Sequence, residues 1–121
     1  FDLACTRFSG RRAPNEGIAD PVGKEAYSHE CISAGFWFGD ESLPMPAFYC
    51  YTWPAPKNLD LQQLDPPKAF WRDVHGSPQA TLLYDDLRKM EDPRGALLAF
   101  LESSYESGAM LANWDRAELE R

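Results

Sequence analysis

Long apolar runs are missing from this sequence. Its uninterrupted apolar stretches fall far short of the roughly 20 residues that a membrane-spanning helix needs, and no charged, apolar and small-residue order of a secretory signal is present. Positive charge is scarce: 12 Lys and Arg stand against 19 Asp and Glu, for a net charge of -7. A surface of that sign repels phosphate backbones and anionic headgroups, so neither nucleic acid nor a membrane is expected as a partner. Cysteine is sparse too, with Cys5, Cys31 and Cys50 far apart and no C-x-x-C pair. Zinc sites need closely spaced ligands, so no metal is expected. Phosphate-loop, dinucleotide and metalloprotease motifs are absent, so the sequence implies no cofactor. The odd, scattered cysteines, each in an apolar strand-like context, read as free buried thiols filling small apolar positions, which points to the cytoplasm; a disulfide between two of them is the alternative. An initiator Met is also lacking. The chain begins at Phe1 inside a strand-like pattern, which suggests a processed product or part of something longer.

What is there suffices for one domain. A chain of 121 residues supports a single core, and with 44% apolar and 13% aromatic residues it has the material to build one. Phe1–Phe8 alternates as a strand ended by Ser9-Gly10, and 11–24 reads as a loop. Ala26–Ala34 is a second strand whose two parities are not cleanly sorted. Gly35 and Gly39 bracket three aromatics, Phe36, Trp37 and Phe38, which suggests a bulge or bend and at least one ring covering a second surface. Ala47–Trp53 is bulky on both parities, as in a central strand covered on both faces. Asp65-Pro66 predicts a short helix reaching Trp71, His75–Pro78 a turn, and Ala80–Tyr84 a fourth strand.

The clearest helix signal comes late. Asp92-Pro93 is an N-cap followed by proline at the first helical position. Leu97, Leu98, Leu101, Tyr105, Ala109 and Ala112 then form a stripe at helical spacing, with Gly108 where a neighbouring backbone could come close. Asn113 is a stop signal, and Asp115 and Glu118 have capping-box spacing. Strands followed by a helix predict an α+β fold: a small antiparallel sheet of about four strands with the C-terminal amphipathic helix on one face.

FDLACTRFSGR at Phe1, EAYSHE at Glu25, SAGFW at Ser33, PAFYCY at Pro46 and the block from Leu83 to Glu120 occur in an order that resembles an uncharacterised bacterial family, domain of unknown function 5996. The resemblance spans nearly the whole chain and implies that the chain matches the C-terminal half of longer members. It carries no activity.

The residues offer one candidate chemistry. Ser28, His29 and Glu30 are consecutive on a strand, so His29 points away from both neighbours and no relay can form among the three. His29 is the candidate proton carrier, although a lone strand histidine is more often structural. Arg7, with Arg11 and Arg12, makes a basic stretch suited to a carboxylate or phosphate; ordinary surface arginines are the plainer reading. Tyr49, Tyr51 and Trp37 could wall a pocket, or simply belong to the core. The sharpest expectation is that Arg7, His29 and Tyr49 or Tyr51 converge from neighbouring strands on a small anionic ligand; the bland one is that Arg7 pairs with Glu30 or Glu25. A function of another class also fits: a structural half-domain that completes the sheet or core of an N-terminal part of the same protein, or that self-associates.

Overall fold

A computed structural model of the chain describes residues 2–13 and 29–120. Five antiparallel strands form one sheet in the order β1-β2-β3-β5-β4: β1 (Asp2–Arg12), β2 (His29–Trp37), β3 (Ala47–Trp53), β4 (Phe70–Val74) and β5 (Ser77–Leu83). Three helices follow, α1 (Tyr84–Arg88), α2 (Pro93–Leu111) and α3 (Arg116–Leu119), and α2 lies across one face of the sheet. The α+β class expected from the sequence is the class observed. No helix among the described residues is long and apolar enough to cross a membrane.

The fifth strand comes from the segment expected to be helical. Pro66–Ala69 makes only a turn, closed by the Ala69 amide on the Pro66 carbonyl at 2.9 Å. Phe70–Val74 instead pairs with β5 as a hairpin. Its two-residue loop, His75-Gly76, has φ of 52° and 83°, the left-handed pair that suits the right-handed twist of hairpin strands. Cross-strand pairing, invisible to a local capping signal, decides the segment.

β1 also runs further than Ser9. Gly10, at φ 91°, sits in a register shift between Phe8 and Arg12, and pairing resumes at Arg12 opposite His29. Ser9 Oγ and Arg11 Nε donate to Glu30 Oε1 at 2.7 and 2.8 Å, and Arg11 Nη2 donates to the Ala112 carbonyl at 2.7 Å. These bonds tie the irregular end of the edge strand to β2 and to the end of α2. The expected loop from residue 14 to 24 and the start of the second strand lie outside the described residues.

No bulge interrupts β2 at Gly35, whose register is regular toward both β1 and β3. The glycine answers a different need. A Cβ there would overlap the Leu3 carbonyl of β1 and lie 2.7 Å from the Tyr49 hydroxyl, so the missing side chain lets both the neighbouring strand and that ring come close. Phe36 turns toward the helix side, 5.0 Å from the Phe48 ring, while Trp37 packs edge-on to Tyr49 at 6.2 Å on the other face. Ala47–Trp53 is the central strand, as its bulky parities predict.

The core lies between the sheet and α2. Ile32, Cys50, Ala80 and Leu82 meet Phe100, Tyr105, Ala109 and Trp114. Asp92 caps α2 by accepting from the Gly95 amide at 3.1 Å. The buried stripe of the helix is wider than the expected one. Tyr105 and Ala109 are buried and Leu97, Leu101 and Ala112 pack against the core, as expected. Phe100, Ser104, Ser107 and Gly108 also face the sheet, and Leu98 alone departs, at 55% exposed. Ser104 and Ser107 tolerate burial because their hydroxyls donate to the Phe100 and Ser103 carbonyls at 2.7 and 2.8 Å. Small residues let the helix sit close. A Cβ on Gly108 would overlap the Thr52 hydroxyl and lie 3.2 Å from Ile32 Cδ1.

Candidate functional site

Strand alternation divides the candidate residues between the two faces of the sheet. Cys5 and Arg7 on β1 stand opposite Ala34 and Ile32, and all four look toward α2. Tyr49, Tyr51 and Trp37 look the other way. His29 shares the parity of Cys31 and Ser33, opposite to that of Ile32, and pairs with Arg12 rather than Arg7. The structure therefore does not bring Arg7 and His29 together, because His29 is offset by three positions from Ile32, Arg7's partner on the same strand, and so takes the opposite face. Nor does Arg7 take Glu30, which is held by Arg11 at 2.8 Å.

On the far face, Trp37, Tyr49 and Tyr51 line a hollow of about 450 Å³ with Arg72 and Gln79. Tyr49 and Tyr51 are stacked with centroids 6.1 Å apart, and the Arg72 guanidinium lies 5.7 Å from the Trp37 ring. His29 lines neither this hollow nor the larger one on the helix side.

The larger hollow, about 860 Å³, opens between α2 and the β1–β2–β3 end of the sheet. Small-molecule sites typically span roughly 300–1,000 Å³. Ile32, Ala34, Phe36, Phe48, Leu97 and Leu101 give it an apolar interior, and the exposed Leu3 and Leu98 flank it. Phe100 is fully buried and Ser104, Ser107 and Gly108 bring α2 close to the strands. Leu97 and Leu101 line the hollow together with Ala34 and Cys5.

Polar groups converge at one end. The Arg7 guanidinium stacks on the Tyr105 ring, 4.5 Å from its centroid. The Tyr105 hydroxyl donates to Glu120 Oε2 at 2.8 Å, and Arg116 Nε donates to the same oxygen at 2.7 Å. Arg116 also reaches Glu106 Oε1 at 3.4 Å. Of the two arginines lining the cavity, Arg116 is thus ion-paired, whereas Arg7 has no carboxylate within ion-pair distance among the described residues.

Titration follows these contacts. Burial first, then the hydrogen bond to Glu120, raise the Tyr105 phenol above its ordinary value. The Arg116 hydrogen bond, then that from Tyr105, hold the Glu120 carboxyl below the usual range. Burial pushes the Cys50 thiol up to about 11, against smaller opposing effects of a Ser104 hydrogen bond and the Arg7 charge. Cys31 and Cys50 are buried and free, as expected, but Cys5 is exposed. It sits on the edge strand beside the open cavity, where no helix covers it.

Sequence reasoning missed Tyr105, Arg116 and Glu120 as a group. Arg116 and Glu120 have the i, i+4 spacing of a helical ion pair, and that was the available signal. Their meeting with β1 is a tertiary fact. Comparison with known families matches residues 1–121 to a family described as of unknown function, DUF5996. No curated protein and no solved structure matches.

Proposed function

We propose, for a chain that belongs to this family of unknown function, that the cavity beneath α2 binds a small molecule with an apolar body and an anionic head. One observation carries the reading: an apolar hollow of ligand size bordered by Arg7, a guanidinium with no carboxylate partner among the described residues. Apolar walls supply binding energy, and a few converging polar groups fix orientation. Arg7 is the group that selects a negative head, while Tyr105 offers a phenol beside it. In this reading Tyr49, Tyr51 and Trp37 belong to the smaller far-face hollow, and His29 takes no part. Three free thiols favour a reducing compartment such as the cytoplasm.

Titration with anilinonaphthalene sulfonate, an apolar anion, tests this. Saturable binding is expected, weakened about tenfold by Arg7→Gln, the scale of one charge-assisted hydrogen bond. Filling the hollow with Ala34→Phe should weaken binding further while the thermal transition remains. Absence of saturable binding, or indifference to both substitutions, rejects the proposal.

A second reading rests on a separate observation. β1 is an edge strand, and its Leu3 and Phe8 are 65% and 54% exposed. Such an edge favours pairing with another chain, in keeping with a structural half-domain.

A further inference from the structure

The end of the cavity nearest Arg7 is already occupied by a carboxylate, the protein's own. Glu120 Oε2 accepts from the Tyr105 hydroxyl at 2.8 Å and from Arg116 Nε at 2.7 Å, and Arg116 Nη2 lies 3.3 Å from Glu120 Oε1. Arg7 stacks on the same Tyr105 ring and is near enough for its charge to favour the ionised form of Glu120. The Arg116 guanidinium and the Tyr105 phenol donate to this one carboxylate with the Arg7 charge beside them, and such groups are those by which proteins recognise a carboxylate ligand. Glu120, Arg116, Tyr105 and Arg7 all line the hollow, as do the carboxylates Glu102 and Glu106, and its other walls are mostly apolar.

We infer that Tyr105, Arg116 and Arg7 form a carboxylate subsite, that Glu120 fills it in the unliganded protein, and that the ligand is an aliphatic or aromatic monocarboxylate that displaces Glu120. This rests on the proposed function and narrows it from anions at large to carboxylates. Displacement is physically cheap. Glu120 is exposed, and it follows the four-residue α3, which has no buried residue. Exposed pairs of this kind contribute little and are screened by salt. Releasing Glu120 leaves the Arg116 contact to Glu106 in place, so the subsite keeps its shape. The apolar tail would then lie along Leu101, Leu97 and Ala34 toward the mouth at Leu3.

The test compares octanoate with octanol, which has a similar tail and no charge, by calorimetric titration of the protein and its Glu120→Gln variant. Glu120→Gln removes the competing charge and keeps the side chain's size. Octanoate binding is expected to tighten about threefold to tenfold, the scale of an exposed charge-assisted contact. Tyr105→Phe and Arg116→Leu should each weaken it. A gain of equal size for octanol would overturn the proposal, as would unchanged or weaker octanoate binding in Glu120→Gln. If anilinonaphthalene sulfonate binds through Arg7 while Glu120→Gln leaves octanoate unaffected, the subsite assignment fails and the cavity reading stands. If neither probe binds, the cavity reading itself fails.

Discussion

At the residue scale the three thiols divide by position. Cys5 is exposed on the edge strand; Cys31 and Cys50 are 3% and 2% exposed in the two strands behind it. Burial disfavours a thiolate, and it raises both inner thiols, Cys50 to about 11. A thiol reagent near pH 8 should therefore modify one cysteine rapidly in the native protein and three after unfolding. Identifying the fast site by peptide mapping checks this, and modification of Cys50 before Cys5 would contradict the burial. The same shift has a pH consequence. A thiol whose folded value exceeds its ordinary 9.0 stabilises fully below that value, and the contribution is lost as pH climbs toward about 11. The sequence favoured free thiols over a disulfide, which the structure bears out, but placed all three inside. Apolar neighbours do not reveal that β1 lies at the sheet edge beside an open cavity.

Elements were legible where their signals are local. Asp92 and Pro93 marked the start of α2, Asn113 its end with φ 57°, and Asp115 the cap of α3, where it accepts from the Glu118 amide at 3.2 Å. What escaped was the breadth of the buried face of α2. Ser104 and Ser107 look like solvent residues in sequence, yet their hydroxyls are satisfied within the helix and they lie against the sheet. Gly108 was legible as a point of close approach, though not the strand that approaches. Gly108→Ala tests that contact. Helix propensity alone would favour alanine by roughly 1 kcal/mol, but the methyl group must displace the Thr52 side chain in a packed core, at a cost of about 1–3 kcal/mol. A net loss of up to about 2 kcal/mol is expected in chemical denaturation. Adding Thr52→Ala should recover most of it, giving a coupling term in a double-mutant cycle. Stabilisation by Gly108→Ala alone would show that the helix and β3 are further apart than described.

For the whole molecule, the class of fold followed from the element order, but the strand order and the cavity did not. Both depend on which strands meet and how a helix is rotated, and neither is written in any one segment. The whole-molecule consequence is an asymmetric sheet. One edge is the five-residue β4; the other is the eleven-residue β1, carrying exposed Leu3 and Phe8 on opposite faces. Among the described residues β1 pairs only with β2, and a long edge with apolar groups is a template for a further strand. Apolar exposure, and not charge, marks that edge: β1 contains Arg7, Arg11 and Arg12 against Asp2, so the apolar contacts of two paired copies must outweigh like charge there as well as the net charge of -7 over the whole chain. Self-association through β1 is therefore expected at concentrations above the micromolar range. Placing charge at the edge with Leu3→Glu and Phe8→Lys should shift it toward monomer, since charged edge residues oppose strand addition. Sedimentation equilibrium of both forms measures this. A monomer at every concentration, or self-association indifferent to the two substitutions, would show that β1 is a terminated edge and not an interface.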